Sequence, residues 1–194
     1  MTDTSEVSSV KALLLFAHPL PNRSRANRAM LRALDGLEGL MVRDLYELYA
    51  DFHIDVGQEQ RLLRQAELII FQHPIYWYSA PAILKQWMDS VLLPGFAFGS
   101  GERALQDKRL MSAVSAGHSE RSYTQGGYDS WTMEEFLRPF EQTARHCGMD
   151  YLSPFVLYDA QKMDERQLIE RAKEYRRTIE VLLNNQTPEE PHGN

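Results

Sequence analysis

Short apolar runs alternate with amphipathic segments along most of the chain. Ala12-Leu13-Leu14-Leu15-Phe16 is a compact apolar run of the kind a buried strand shows. From Ser24 the period changes: Ala26, Ala29, Met30, Ala33, Leu34 and Leu37 share one helical stripe, closed by Gly36 and Gly39. Met41 to Leu45 is a weaker, alternating strand. Asp55 and Gln58 have the spacing of a helix cap with its reciprocal partner, followed by Leu62, Leu63 and Ala66. Leu68-Ile69-Ile70-Phe71-Gln72 is the clearest strand. Ser79-Ala80-Pro81 opens a helix with the stripe Ile83, Leu84, Trp87, Met88 and Val91, and Pro94 stops it. Leu110 to Val114 is a fourth strand. Thr132 and Glu135 form a capping box ahead of Phe136, Leu137, Phe140, Ala144 and Cys147, in a helix that Pro139 should kink or split. Leu152 to Tyr158, interrupted early by Pro154, is the fifth strand. Asp164 to Asn184 is a long last helix, with Leu168, Ala172, Tyr175, Ile179 and Leu182 facing inward.

The order is β-α five times over. Continuous apolar strands separated by helices imply a parallel sheet covered on both faces, an α/β protein of three layers, α/β/α. Five strands fit the flavodoxin-like order 2-1-3-4-5. Ligands of such sheets bind beyond the carboxyl ends of the strands, near the switch point between strands 1 and 3. The loops after strands 1, 3 and 4 should therefore hold the chemistry.

Composition narrows the classes. A length of 194 residues suits one domain with a real core, with loose polar ends at residues 1 to about 10 and from 185 on. Lys+Arg of 21 against Asp+Glu of 27 gives a formal net charge of -6, and no dense basic cluster is present, which argues against nucleic acid as a partner. The lone Cys147 allows no disulfide framework and sits on a helix's apolar stripe, where it reads as a structural thiol. No apolar run approaches the roughly 20 residues that span a bilayer, and the first residues make no convincing signal peptide. The expected setting is cytoplasmic. H-E-x-x-H, G-x-S-x-G, G-x-G-x-x-G and G-K-[ST] are all missing, so zinc, α/β-hydrolase, dinucleotide-fingerprint and ATP readings are disfavoured.

The three loops carry distinctive residues. The first, Ala17 to Asn27, puts Ser24 at a helix start with Asn27 three residues on. A hydroxyl, a carboxamide and free helix N–H groups suit one phosphate, with Arg23 or Arg25 adding charge; equally, Ser24 could simply cap the helix. The second, His73 to Pro81, places Tyr76, Trp77 and Tyr78 in a row. That suits a wall against a flat heteroaromatic ring, and also a hydrophobic plug or interface patch. The third begins Ser115-Ala116-Gly117-His118, where Gly117 would let backbone approach a ligand. An aperiodic rim with Tyr123, Gly126, Gly127 and Tyr128 follows, whose tyrosines read on their own as surface packing.

At these loops the chain resembles the flavodoxin-like NAD(P)H:quinone oxidoreductases. Among them it is most similar to the ancillary subunits of bacterial glutathione-gated potassium-efflux (Kef) systems. The segments that carry the resemblance are FAHPLPNRSRANRAML, DLYELYADFHIDVGQEQ, FQHPIYWYSAPAILKQWMD, GFAFG and LRPFE. The resemblance implies a noncovalent flavin, FMN rather than FAD, with NAD(P)H as donor and a quinone-like acceptor in a ping-pong cycle. It implies a phosphate site at His18 and at Ser24, Arg25, Ala26 and Asn27. It implies a ring site against Ile75, Tyr76, Trp77 and Tyr78 and against Ser115, Ala116, Gly117 and His118. It implies a homodimer packed about the flavin pockets, with Tyr123 in proton relay. The alternative it carries is a regulatory subunit on a potassium-efflux antiporter, at the cytoplasmic face of the inner membrane. Two departures stand out. The fourth-strand loop reads Ser-Ala-Gly-His where the family has Thr-Gly-Gly. Where the family has a relay histidine, Tyr128 or Asp129 falls here.

Overall fold

The structure, a computed structural model, describes residues 10–184; the expectations for the two chain ends otherwise lie outside the described residues. Strand β1 (Ala12–Phe16) pairs in parallel with β2 (Leu40–Asp44) on one side and β3 (Leu68–Pro74) on the other. Strand β4 (Arg109–Ser115) follows β3, so the order is 2-1-3-4-5 as expected. β1 and β3 are buried along their whole length, which explains their unbroken apolar runs.

The fifth strand departs from expectation. In place of a single Leu152–Tyr158 run there are two short pieces, β5 (Asp150–Tyr151) and β6 (Phe155–Leu157), both paired with β4. Pro154 has no N–H to give the ladder and falls in the gap between them.

Helices cover both faces. α1 (Arg25–Ala33) and α6 (Glu165–Leu183) lie on one side, over Leu14, Phe16, Ile70 and Met111. α3 (Val56–Gln65), α4 (Ala82–Val91) and α5 (Met133–His146) lie on the other, over Leu13, Leu15, Phe71 and Val114. One short helix, α2 (Leu45–Leu48), was not expected. Asp44 ends β2 and caps it, accepting from the Tyr46 and Glu47 amides. α1 ends earlier than its stripe implied, at a turn where Gly36 and Gly39 both take positive φ. Asp55 caps α3 through the Gln58 amide, but the return bond, from the Asp55 amide to the Gln58 side chain, is not made among the described residues. Pro139 does not split α5. Its capping box is complete, and Met133, Leu137, Phe140 and Ala144 anchor both halves in the core.

Two buried polar groups hold this frame. Glu59, wholly buried on α3, accepts from Arg43, from Tyr49 Oη at 2.6 Å and from Trp87 Nε1 at 2.9 Å. It ties β2, the end of α2 and α4 to α3; removing one partner of such a pair usually costs about 3–5 kcal/mol. Burial, and then the bond to Glu59, push the Tyr49 hydroxyl up to about 12. His73, wholly buried on β3, has Nδ1 2.9 Å from the Pro74 carbonyl, to which it donates.

Burial lowers the His73 pKa from 6.5 to about 4. The folded protein keeps it neutral while the unfolded chain binds a proton below 6.5. Its contribution is therefore full above pH 6.5, is lost as pH falls from there to about 4, and changes no further below that. Over that window the loss should be about 3 kcal/mol. His73→Asn keeps a donor toward Pro74 but cannot titrate. Urea unfolding at pH 7 and pH 4.5 should show a markedly smaller pH loss in the variant; equal losses would show that His73 is protonated in the folded state.

Candidate active site

The carboxyl ends of β1, β3 and β4 meet at one edge of the sheet, and one cleft of about 490 Å³ opens there. His18, Ser24, Arg25 and Ala26 line it from the first loop, Ile75 and Tyr76 from the second, and Ser115, Ala116 and Gly117 from the third. Nine of the expected site residues thus converge on one space.

At its floor, α1 begins. Ser24 Oγ accepts from the Asn27 amide at 3.2 Å, a helix cap. This leaves the Arg25 and Ala26 amides without intrahelical acceptors, and Arg23 and Arg25 flank them. A helix start with two guanidinium groups favours an anion. His18 is nearly buried; its Nδ1 accepts from the Leu20 amide at 3.0 Å, so a neutral ring carries its proton on Nε2. Burial lowers its pKa and favours that neutral form, leaving an N–H beside the cleft.

Asn27 is not in the lining. It is buried behind Ser24, with Nδ2 donating to Ser24 Oγ at 3.0 Å and to Ser115 Oγ at 2.8 Å. Both of its side-chain amide protons are engaged here, and the side chain clamps the first loop to the third.

The second loop is a tight turn. Tyr76 and Ser79 exchange backbone bonds of 2.9 and 3.0 Å around Trp77 and Tyr78. Both central residues have positive φ, 48° and 63°. Such turns favour Asn and Gly, and an ordinary side chain there costs about 1–2 kcal/mol. Trp77 is 93% exposed and makes no ring contact among the described residues. Tyr78 stacks on Phe136 of α5 with centroids 5.0 Å apart. Trp77 and Tyr78 therefore stand on the rim, outside the cleft lining, while Tyr76 leans edge-on toward His18 at 5.9 Å.

In the third loop, a Cβ on Gly117 would meet nothing within 4 Å, so this glycine leaves open space at the cleft wall. His118 and Tyr123 are rim residues. Tyr123 is buried among Phe136, Tyr158 and His118. Burial first, then the Asp129 charge, raise its pKa, while a hydrogen bond from the His118 backbone opposes them. The net effect keeps the phenol protonated and able to donate.

Three residues near the site were given no role by sequence reasoning. Ala160 and Gln161, after β6, line the cleft as well. Their loop is tied to the third by bonds from the Asp159 amide to the His118 carbonyl (2.9 Å) and from Ala160 to Ala116 (3.0 Å). Only the adjacency of strands 4 and 5 hinted at this. Asp129, in the aperiodic rim, lies 2.9 Å from His118 Nδ1, and no spacing rule links the two.

A family model described as flavodoxin-like fold matches residues 10–179. The chain belongs to the flavodoxin-like family. It is 45% identical over 173 residues to the glutathione-regulated potassium-efflux system ancillary protein KefG of Yersinia enterocolitica, covering 89% of this chain and 94% of that one. Among solved flavodoxin-like structures, it is similar to the general stress protein 14 of Treponema denticola, crystallised in complex with FMN. That match has a TM-score of 0.81 and 34% identity, over 89% of this chain and 99% of the other. An NADPH-quinone reductase of P. pentosaceus matches with a TM-score of 0.80 and 32% identity, over 87% and 96% of the two chains. Among the described residues, no helix of this flavodoxin-like chain is long and apolar enough to cross a membrane.

The strained turn gives a test that needs no ligand. Trp77→Gly removes an unfavourable backbone conformation and almost no buried surface. It should raise stability by about 1 kcal/mol in urea unfolding, since glycine takes positive φ freely. A loss of stability would show that Trp77 makes contacts in solution that outweigh its strain.

Proposed function

We propose that this chain is an FMN-dependent NAD(P)H:quinone oxidoreductase. The observation that carries the reading is the cleft. An anion-favouring helix start with Ser24, Arg23 and Arg25 faces a wall left open by Gly117, and a strained aromatic turn stands beside it. That combination suits a planar heteroaromatic ring with one phosphate. A second nucleotide has no dinucleotide fingerprint to receive it, so FMN fits better than FAD. The FMN and quinone-reductase neighbours support the same choice.

The phosphate would be held by Ser24 Oγ, the Arg25 and Ala26 amides and the arginines, with His18 Nε2 as a further donor. Ile75 to Tyr78 and Ser115 to His118 would border the ring. When bound, the flavin supplies two-electron hydride transfer between a nicotinamide donor and a quinone-like acceptor, which use one place in turn. The protein's part is orientation and charge. Tyr123 keeps its proton and can donate to an acceptor oxygen.

A homodimer belongs to this reading. Tyr76, Trp77 and Tyr78 and, on the rim, Tyr128 at 81% exposure need cover. A second copy over the cleft mouth would supply it. Light scattering should give twice the protomer mass at micromolar concentration; a monomer with flavin bound would contradict it.

The KefG relatives favour a second reading, in which the chain is an ancillary subunit that activates a glutathione-regulated potassium-efflux antiporter at the cytoplasmic face of the membrane. Potassium efflux unchanged by deleting the gene would discard it and leave a stand-alone reductase.

The purified protein should be yellow, and heat-released cofactor should run as FMN. Arg25→Ala should weaken FMN binding by roughly tenfold, since a hydrogen bond to a charged group contributes about 1.5–3 kcal/mol and 1.4 kcal/mol is tenfold. A colourless protein that takes up no FMN on reconstitution sinks the proposal.

A further inference from the structure

His118 and Asp129 form a pair that neither the cleft lining nor the sequence motifs account for. His118 Nδ1 and Asp129 Oδ2 are 2.9 Å apart. The two ends differ sharply in environment: the Asp129 side chain is 1% exposed, the His118 side chain 48%. The carboxylate's other oxygen, Oδ1, is buried with no hydrogen-bond partner. A buried carboxylate with half its capacity unmet is costly, and its chief compensation is a proton held on the imidazole.

The geometry fixes the ring. An acceptor at Nδ1 requires a proton there, so the neutral imidazole must present Nε2 as its open position. His118 is held from three further directions, two on its ring and one on its backbone. Tyr128 lies edge-on at 5.1 Å, and Tyr123 lies tilted at 6.3 Å. The His118 carbonyl accepts from the Asp159 amide at 2.9 Å. The ring's backbone neighbour, Gly117, lines the cleft. What results is an imidazole of fixed tautomer at the cleft rim, half exposed and backed by a dry carboxylate. That arrangement suits a general acid that must be reprotonated after each use.

We propose that His118, oriented by Asp129, delivers the proton that completes reduction of the acceptor. This rests on the quinone-reductase reading above. A quinone becomes a hydroquinone by gaining one hydride and one proton. The flavin, when bound, would supply the hydride it takes from NAD(P)H. The proton leaves the Nε2–H bond of the His118 imidazolium for the acceptor oxygen, and the bonding electrons stay on the ring. The neutral imidazole keeps its Nδ1 proton on Asp129 and takes a new Nε2 proton from water. Asp129 touches no reactant and acts as a positioning residue, while Tyr123 donates a hydrogen bond without giving up its proton.

Quinone and ferricyanide turnover of the FMN-loaded protein separate this role from a structural tie. Ferricyanide takes one electron and no proton. In His118→Gln the ratio of quinone to ferricyanide turnover should fall about a hundredfold, the usual scale of general acid catalysis. Added imidazole should restore part of it. In Asp129→Asn the ratio should fall at least about tenfold, and nitrogen-15 spectra of histidine-labelled protein should show that the His118 ring has lost its single Nδ1–H tautomer. Equal losses with both acceptors and no imidazole rescue would mean that the pair only ties the rim together, and would overturn the proposal. An unchanged ratio would overturn it too. Wild-type protein that takes up no FMN would instead sink the reductase reading, and shows itself before any variant is compared.

Discussion

A parallel sheet buried on both faces has no water to satisfy stray polar groups, and that constraint organises the molecule. Each buried polar side chain in its central strands must find a partner inside the protein or bear the cost of lacking one. Here such side chains gather toward the carboxyl ends. Gln72 Nε2 donates to the Asn27 carbonyl and its Oε1 accepts from Tyr175 Oη at 3.1 Å, linking β3 to α1 and α6. Ser112 accepts from Tyr151 at 2.8 Å. Ser115, one turn of the ladder further, receives Asn27. The same bonds that satisfy the sheet therefore fix where the first, second and third loops leave it.

On the opposite face, Glu59 does comparable work at a distance from the cleft. Its bond to Trp87 pins α4, the helix that starts three residues after the Tyr78 turn. A turn with two consecutive positive-φ aromatic residues persists only if its flanks are held, because relaxing it would recover about 1–2 kcal/mol per residue. The stacking of Tyr78 on Phe136 holds one flank and the Glu59 network steadies the other. Two positive-φ side chains thus stand next to each other in the segment where three aromatic rings project outward.

How much of this was legible in the sequence depends on the kind of signal. Strands β1, β3 and β4 were plain because burial on both faces leaves continuous apolar runs. The strand order and the three loops followed from topology. The split of the fifth strand was half visible in Pro154, whereas α2 was hidden, since Asp44 looks the same as a strand residue and as a helix cap. In the cleft, the places of Ser24 at a helix start and of Gly117 at an open wall were readable, because both are set by backbone geometry. Asn27 was read as a phosphate ligand, and its tie between the first and third loops was not seen. Composition cannot tell a carboxamide that faces a cleft from one that faces a serine 88 residues away. The contact of Asp129 was invisible for the same reason: its partner His118 lies across an aperiodic segment, and only folding brings the two together.

The distribution of unmet polar atoms bears on function independently of any relative. Among the described residues, three buried side-chain atoms lack a hydrogen-bond partner: Asn27 Oδ1, His73 Nε2 and Asp129 Oδ1. Such groups cost about 1–3 kcal/mol each, and folding alone gives no reason to keep them. Were they defects of packing, they would be scattered through the core. Instead all three belong to the carboxyl-end side of the sheet: Asn27 beneath the helix start, His73 one residue before the aromatic loop, Asp129 behind the rim. A protein of marginal stability can bear such costs where binding or proton transfer makes use of them, and here all three atoms sit behind the cleft and its rim rather than in the lining.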